Sequence, residues 1–330
     1  MANILVTGGA GFIGSHVTDS LIENHHRVWV LDDLSGGFKE NVNPKAEFVQ
    51  GSILDYDLLQ SLFNDNAYEY VFHLAAYAAE GLSHFIKRFN YQNNLIGSVN
   101  LINLSVLHKV RCFVFTSSIA VYGKNQLPMS EEMKPEPEDS YGIAKAAVEA
   151  ELKASFNMFG LPYVIFRPHN VYGERQNIGD RYRNVVGIFM NQIMKNEPMT
   201  IFGDGNQKRA FSYISDVAPA IARSIDVKEA YNQIFNVGAD VPFTVNALAD
   251  HVAAAFQVEP RVTYLDARNE VYEAYSEHFK MKKIFGTAKT VPLEKGIKRM
   301  ADWAKEHGAR ESKEFTNIEV PVNLPASWKK

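Results

Sequence analysis

The sequence predicts an α/β fold built on a doubly wound parallel sheet, with a smaller domain in the C-terminal half. Three observations in the 330-residue chain predict it. Short, almost wholly apolar runs recur through the first half, and stretches with helical periodicity separate them. A glycine-rich turn joins the first run to the first helical stretch. Alternation of this kind is typical of a parallel sheet that helices cover on both faces.

Six apolar runs are predicted strands, and four periodic stretches between them are predicted helices. The strands are residues 4–6, 28–31, 47–49, 70–72, 112–115 and 163–166. The helices are residues 12–24, 55–63, 89–108 and 141–159. Because the strand runs lack alternating polar positions, we expect these strands to be buried on both faces.

The alternation loosens beyond residue 167, where proline and glycine become frequent. This change predicts a first domain, residues 1–169, and a second, residues 170–330, that packs over the carboxyl edge of the sheet. The tail from residue 309 has weak periodicity and two prolines, so we expect it to wrap the surface or fray.

Composition excludes several classes of function. A formal net charge of −4 gives no general attraction to nucleic acid or to an anionic membrane. No run of eighteen apolar residues and no secretion signal is found, so we expect a cytoplasmic protein. The single cysteine, Cys112, lies in a predicted buried strand and is not expected to act as a thiol. His73, His84 and His169 share no ligand spacing with other metal-binding residues, so no metal site is predicted.

The glycine turn has the spacing of a dinucleotide-binding site of the Rossmann type. Gly9, Gly11 and Gly14 fit G-x-G-x-x-G between a predicted strand and a predicted helix. Glycines let the backbone approach a pyrophosphate, and the helix N-terminus faces it with free N–H groups. Asp32 ends the second strand, where its carboxylate would accept ribose hydroxyls and repel a 2′-phosphate, so NAD is favoured over NADP. The alternative is a purely structural glycine turn.

Tyr141 and Lys145 lie four residues apart, on one face of a predicted helix. An ammonium near a phenol favours the phenolate, which makes the tyrosine usable as a base near neutral pH. Such a spacing is common by chance on a helix surface. Here the fifth strand ends in Thr-Ser-Ser at residues 116–118, at the edge where such sheets bind ligands. Ser118 could hydrogen-bond a reacting hydroxyl and hold it against Tyr141.

These motifs together, in this order, resemble the extended short-chain dehydrogenase/reductases, and more narrowly their NAD-dependent nucleotide-sugar epimerase/dehydratase group. The resemblance runs from residue 2 to about residue 308 and includes His-Leu-Ala-Ala at 73–76 and Arg-Pro-His-Asn-Val-Tyr-Gly at 167–173. It implies NAD as cofactor, with Ser118, Tyr141 and Lys145 as catalytic residues. It implies that the cofactor-binding residues are Gly8, Gly11, Phe12, Ile13, Gly14, Asp32, Asp33, Ser52, Ile53, Leu74, Ala75, Ala76, Asn93, Tyr141, Lys145 and His169. Ser52 stands where relatives commonly carry aspartate beside adenine.

The resemblance also implies a nucleotide-diphosphate sugar as substrate, bound mainly by residues 170–330. Arg209 and Arg268 correspond to arginines that grip the diphosphate, and a planar guanidinium suits phosphate oxygens. Asn170 and Asn184 would contact the same ligand, with Ser118 and Tyr141 at the sugar. For either arginine alone, a surface ion pair is the simpler interpretation.

Three reactions share this scaffold, and each begins with hydride transfer from the sugar's C4 to NAD. In the family, dehydratases carry an Asp-Glu pair after the Ser/Thr, and decarboxylases commonly keep a glutamate there. Here Ile119 and Ala120 follow Ser118, and neither can carry a proton. The sequence therefore favours 4-epimerisation. A nucleotide-sugar C4 dehydrogenase or reductase is the main alternative, and a non-catalytic NAD-sensing protein is the least favoured.

Two further expectations come from the family. The helices at 89–108 and 141–159 are expected to form a four-helix interface in a homodimer. A position at Ala274 or Tyr275 is expected to face the sugar's C2 substituent, so Ala274 would give a roomy pocket and Tyr275 a tight one. The base and the sugar are not distinguished by the sequence.

Overall fold

The structure of the protein is a computed structural model that describes residues 1–268, 270–286, 290–311 and 315–328. Its centre is a seven-stranded parallel sheet in the order β11-β6-β5-β4-β1-β2-β3. These strands are β1 Asn3–Thr7, β2 Arg27–Asp32, β3 Glu47–Gln50, β4 Tyr70–His73, β5 Cys112–Thr116, β6 Tyr163–Pro168 and β11 Gln233–Val237. The predicted doubly wound α/β fold is confirmed, as are all six predicted strands.

The other described strands form three small sheets outside the main one. They are β7 Val171–Tyr172 with β10 Ser212–Tyr213, β8 Met199–Phe202 with β13 Val262–Leu265, and β9 Lys208–Ala210 with β12 Pro242–Thr244 and β14 Glu273–Ala274. The helices are α1 Phe12–Glu23, α2 Tyr56–Asn66, α3 Glu80–Ser83, α4 Lys87–Tyr91, α5 Gly97–Leu107, α6 Ser140–Phe159, α7 Val185–Met194, α8 Ile214–Arg223, α9 Val245–Phe256, α10 Phe279–Phe285 and α11 Leu293–His307.

The sheet is buried on both faces except at its edge strand β3, where Glu47 and Gln50 are exposed and Phe48 and Val49 half-buried, so the expected burial is wrong for that strand. Burial of the other strands is why they read as continuous apolar runs. Successive side chains of a strand point to opposite faces. Accordingly, Val6 and Phe72 belong to one apolar cluster, whereas Leu5 and Val71 belong to the other. The register of the strands is therefore set by two apolar cores, because a slip of one residue would move every side chain of a strand to the opposite face.

The seventh strand comes from the second half of the chain. β11 pairs in parallel with β6, and α8 packs against α1. The chain thus returns to the main sheet after residue 170. The division at residue 169/170 stays a prediction about which part binds which ligand.

The predicted helix at residues 89–108 is not a single α-helix. It consists of α4, a π-helical turn at Gln92–Ile96, and α5. Buried Asn94 explains the irregular turn, since its side chain accepts the Tyr77 N–H at 2.8 Å and donates to the Tyr77 carbonyl at 3.1 Å. π-Helical turns of this kind occur frequently at functional sites.

A buried ion pair fixes α6 against the sheet. The Arg167 guanidinium meets the Glu149 carboxylate in a bidentate contact, at 2.9 and 2.5 Å, and Ser117 donates to the same carboxylate at 2.6 Å. A paired and hydrogen-bonded charge is tolerated inside a protein, whereas removing one partner is strongly destabilising. The ion pair thereby sets α6 relative to the end of β5, where the site residues lie.

The C-terminal tail packs against the segment around α3 and α4 instead of fraying. The Glu319 carboxylate accepts the backbone N–H groups of Arg88 and Phe89, at 2.8 and 2.9 Å, and so caps the start of α4. Phe315 packs edge-on against Phe89, with ring centres 5.0 Å apart. No helix in the described residues is long and apolar enough to cross a membrane.

Candidate active site

A cavity of about 1170 Å³ opens at the carboxyl edge of the main sheet. All but one of the predicted site residues line it: Gly8, Gly11, Phe12, Ile13, Gly14, Asp32, Asp33, Ile53, Leu74, Ala75, Ala76, Asn93, Ser118, Tyr141, Lys145, His169, Asn170, Asn184, Arg209 and Arg268. Ser52 is the exception. Its hydroxyl accepts the Leu54 N–H at 3.2 Å and so closes a local turn, while Gly51 and Ile53 on either side line the cavity.

The glycine turn has no room for side chains where it faces the cavity. Gly8 has φ +75°, and a Cβ there would lie 2.6 Å from the Ala75 nitrogen. A Cβ on Gly14 would overlap the Gly8 carbonyl oxygen. Gly9 packs on the Val30 side chain instead of lining the cavity. The turn therefore presents bare backbone at the start of α1, which suits a pyrophosphate.

Asp32 is held at the end of β2 by backbone groups. Its carboxylate accepts the Ala10 N–H at 3.0 Å and the Leu34 N–H at 2.8 Å. Burial raises the pKa of Asp32, and these hydrogen bonds oppose the rise. The carboxylate is fixed at the strand end beside the glycine turn, so these residues fit an adenosine ribose on one side of a dinucleotide.

A neighbouring loop completes this end of the cavity and was not predicted. Ser35, Gly36 and Gly37 line the cavity, and a Cβ on Gly37 would lie 2.6 Å from the Ala10 carbonyl. The Gly-Gly pair shortly after Asp33 was the available signal, because close backbone approach requires residues without a side chain.

The predicted catalytic residues meet where β5 ends. Ser118 follows β5 and caps a short helix at Ile119–Tyr122, its hydroxyl accepting the Ala120 N–H at 3.1 Å. Tyr141 lies in the first turn of α6 and is buried. The Lys145 ammonium, one turn later, donates to the Thr116 carbonyl at 2.7 Å and lies 5.7 Å from the centre of the Tyr141 ring. β5 and α6 thus bring all three side chains to one wall.

Burial shifts the pKa of both ionisable groups at this wall. Burial raises the pKa of Tyr141, and its hydrogen bond with Ser118 opposes the rise. Burial also lowers the pKa of Lys145 to about 7, with the Glu149 carboxylate opposing. Burial therefore dominates the pKa of both groups in the protein alone, and a lowering of the Tyr141 pKa by Lys145 stays a prediction.

Two carboxyl groups beside Tyr141 were not predicted. Asp139 caps α6, since its carboxylate accepts the Tyr141 and Gly142 N–H groups, both at 2.9 Å. An aspartate directly before a helical pattern was a usable signal for this cap. Glu80, at the start of α3, lines the cavity and had no local signal, because its neighbours come from distant parts of the chain.

The positions that distinguish the reactions are apolar. Ile119 and Ala120 both line the cavity directly after Ser118, and both are largely buried. Neither can donate or accept a proton at the sugar. Ala274 also lines the cavity, whereas Tyr275 is not among its lining residues. The structure therefore favours Ala274 as the residue at the C2 pocket, which would make that pocket roomy.

The two predicted diphosphate-binding arginines lie in adjacent segments on the opposite wall. Arg209 in β9 donates to the carbonyls of Val271 and Tyr272, at 2.5 and 2.9 Å. The Arg268 guanidinium stacks 3.7 Å from the centre of the Phe202 ring, and burial lowers its pKa. Arg209 also pairs with the Glu270 carboxylate at 3.5 Å, and both guanidinium groups lie at a cavity wall that suits phosphate oxygens.

Asn170 and Asn184 are placed by backbone contacts. Asn170 has φ +40° and donates to the Ala210 carbonyl at 3.3 Å. Asn184 caps α7 by accepting the Val186 N–H at 3.0 Å, and its amide also contacts the Val171 carbonyl. Both line the cavity between the sheet edge and the smaller sheets.

A chain of imidazoles leads from the cavity toward the surface. His169 Nδ1 lies 3.0 Å from the Ala210 carbonyl, so it carries the proton and leaves Nε2 as an acceptor. His278 Nε2, 3.0 Å away, then has to donate, while its Nδ1 faces the Asp240 carboxylate at 2.7 Å. Among the described residues, no cluster of three or more potential ligands could hold a metal ion.

The tail forms part of the cavity wall. Residues 320 and 322–328 line it, and the Trp328 ring lies edge-on to Tyr182 with centres 5.3 Å apart. The Arg268 guanidinium lies 5.4 Å from the Trp328 ring centre. The weak periodicity of the tail gave no signal for this role.

Comparison with known proteins gives consistent matches over nearly the whole chain. A family model described as "NAD dependent epimerase/dehydratase family" matches residues 4–238. A relative from Methanocaldococcus jannaschii, named a putative UDP-glucose 4-epimerase, is 38% identical over 92% of this chain and 99% of its own length. The UDP-glucose 4-epimerase of Thermotoga maritima, solved with UDP-glucose, is 36% identical with TM-score 0.88, covering 92% of this chain and 99% of its own. That of Thermus thermophilus, solved with NAD, is 30% identical with TM-score 0.86 and the same coverage.

Proposed function

Because this chain belongs to the NAD-dependent epimerase/dehydratase family, we propose that it inverts C4 of a nucleotide-diphosphate sugar with NAD as cofactor. The observation that carries the choice of reaction is the pair Ile119 and Ala120 beside Ser118. Dehydration and decarboxylation of the sugar need proton-transfer groups at this place, and 4-epimerisation does not. The similar structures solved as 4-epimerases support the same choice.

The cofactor would lie along the sheet edge from Asp32 to Lys145. The bare backbone of Gly8, Gly11 and Gly14 suits its pyrophosphate, and Asp32 suits the adenosine ribose. Phe12, Ile13, Asp33, Ile53, Leu74, Ala75, Ala76, Asn93 and His169 line the same channel. Bound NAD would supply the acceptor and later the donor of a hydride at C4.

The residues of this chain transfer the proton of the C4 hydroxyl and orient the reacting oxygen. As the phenolate, Tyr141 would take the proton of the C4 hydroxyl, and as the resulting phenol it would return that proton after the sugar has presented its other face to the cofactor. Ser118 hydrogen-bonds the reacting oxygen and keeps it in line with Tyr141. Lys145, anchored by the Thr116 carbonyl, stabilises negative charge on the phenol. The apolar Ile119 and Ala120 leave the C5 position without a base.

The substrate would be held at its diphosphate by Arg209 and Arg268, with Asn170 and Asn184 alongside. Uridine is the base named for both similar structures, and we propose a uridine diphosphate sugar. Ala274 at the cavity wall supports a pocket that admits an N-acetyl group at C2.

Assembly as a cytoplasmic homodimer completes the proposal. α5 and α6 leave large apolar side chains exposed: Leu107 is 67% and Met158 75% exposed, and Ile143 and Phe159 are exposed as well. Ile96, at the end of the π-helical turn before α5, is also exposed. Apolar surface of this kind on two neighbouring helices suits a four-helix interface with a second copy.

The test is product analysis on a pair of substrates. UDP-glucose and UDP-N-acetylglucosamine are incubated with the purified protein, and proton NMR follows the C4 configuration. We expect the 4-epimer of each and no accumulation of NADH. Ala274→Tyr should remove activity on the N-acetylated sugar while retaining it on UDP-glucose. Loss of water or carbon dioxide, or steady release of NADH, would contradict the proposed reaction.

A further inference from the structure

Glu80 lies between the two halves of the site. It opens the short helix α3, whose far end touches the start of α6. Ser83 Oγ lies 3.2 Å from the Asp139 carboxylate and 3.2 Å from the Tyr141 backbone nitrogen. Near the other end, a Cβ on Gly81 would lie 3.9 Å from Arg268 Nη1. The helix therefore spans from the catalytic wall to the arginine wall.

The Glu80 carboxyl group has no hydrogen-bonding or ion-pair partner among the described residues. Glu80 is exposed, it lines the cavity, and no hydrogen bond or ion pair to its side chain is formed by the described residues. Desolvation inside the cavity and the charge of Asp139 raise the pKa of Glu80 to about 7, and Arg209 opposes the rise. Since its side chain borders the cavity without a partner among the described residues, this carboxyl group is available to a ligand that donates hydrogen bonds.

A bound sugar would pass beside this carboxyl, and this step depends on the proposed function. The diphosphate is attached at C1 of the sugar, and the reacting carbon, C4, lies across the ring. If Arg209 and Arg268 hold the diphosphate while Tyr141 faces C4, the ring lies between them. That is the space that Glu80 borders.

We propose that Glu80 is a specificity-determining residue that accepts hydrogen bonds from the sugar's hydroxyls and excludes sugars bearing a carboxylate. The substrate class is then a nucleotide-linked neutral hexose, with or without an N-acetyl group. A uronate would bring a further negative charge, beyond those of the diphosphate, to the space beside Glu80 and Asp139, whereas Glu270 is paired with Arg209 at 3.5 Å. Juxtaposed like charges are a strong means of rejecting a wrong ligand.

The test measures binding of UDP-glucose and UDP-glucuronate by calorimetry at pH 8, with NAD present throughout. We expect the wild-type protein to prefer UDP-glucose. Glu80→Gln should reduce this preference about tenfold or more, chiefly by tightening the binding of UDP-glucuronate. Glu138→Gln is the matched control, because Glu138 lines the same cavity but pairs with Lys124 at 3.4 Å. The control should leave the preference unchanged.

The outcome does not depend on turnover or on the yield of folded protein. Each preference is a ratio of two dissociation constants within one variant, so an inactive fraction cancels. Failure of C4 inversion would refute the proposed function and leave this binding ratio readable. Equal binding of the two sugars by the wild type, binding of neither, or a ratio that Glu80→Gln and Glu80→Ala leave unchanged would overturn the role of Glu80.

Discussion

At the scale of single residues, the site depends on a few polar groups whose positions are set by backbone contacts. The Ser118 hydroxyl accepts the Ala120 N–H, the Lys145 ammonium donates to the Thr116 carbonyl, and the Asp139 carboxylate holds the first turn of α6. Each group is therefore oriented before any ligand arrives, which is a general requirement of catalysis. Two predictions belong to this scale.

The first concerns the proton acceptor. Tyr141→Phe removes the hydroxyl without changing the shape of the buried ring, so turnover should fall by about a hundredfold or more. Ser118→Ala should slow turnover less, since Tyr141 keeps its hydroxyl. Steady-state kinetics and circular dichroism separate lost chemistry from lost fold. Comparable turnover of Tyr141→Phe and wild type would refute the assigned role.

The second concerns pH and stability. Burial lowers the pKa of Lys145 to about 7, whereas an unfolded lysine titrates near 10.5. Between these values the unfolded state binds more protons, so the free energy of unfolding contributed by this group rises with pH. Relative to Lys145→Met, the wild type should gain stability in urea between pH 7 and pH 10. Lys153→Met, at an exposed position of the same helix, is the control. A pH-independent difference between wild type and Lys145→Met would contradict the shift.

At the scale of elements, the sequence predicted what depends on local pattern and missed what depends on distant contacts. β1 to β6 were predictable because each contains a short apolar run, and α1 because a glycine turn precedes it. The π-helical turn at Gln92–Ile96 was not, since it follows from hydrogen bonds between Asn94 and Tyr77. The positions of Glu80 and the tail were not predictable either, because their spatial neighbours lie far away in sequence.

The tail yields a prediction at this scale. Deleting residues 315–330 removes the Glu319 cap on α4 and the packing of Phe315 and Trp328. The cap is worth about 1 kcal/mol and each aromatic pair about 1 kcal/mol, so stability should fall by roughly 2–4 kcal/mol. Binding of the sugar nucleotide should weaken as well, because the tail lines the cavity. Glu319→Ala isolates the cap and should reproduce only part of the loss.

Calorimetric melting and ligand titration measure the two effects. A deletion variant with wild-type melting temperature and affinity would show that the tail is dispensable.

At the scale of the whole molecule, one continuous cavity joins the sheet edge to the smaller sheets. β11 returns the chain from the second half to the main sheet, and α8 covers α1, so the two halves share their packing. The sequence motifs predicted the cofactor-binding residues and the two arginines, and the fold brings both sets to one cavity.

The proposed homodimer is tested on this scale too. Leu107→Glu places a charge on the exposed apolar face of α5 and should shift the protein from dimer to monomer. Val258→Glu, at an exposed position beyond α9, is the matched control and should leave the dimer intact. Light scattering at micromolar concentration reads the mass directly. A monomeric wild type would refute the interface.

The central claim is that hydride leaves and returns at C4 without proton exchange at C5. The most direct measurement is turnover of UDP-glucose deuterated at C4, in ordinary water, and of unlabelled UDP-glucose in heavy water. The apolar Ile119 and Ala120 and the proton-accepting Tyr141 predict that the 4-epimer keeps its deuterium at C4 and takes up none at C5. Loss of the C4 label, or solvent deuterium at C5 in the product, would contradict the account.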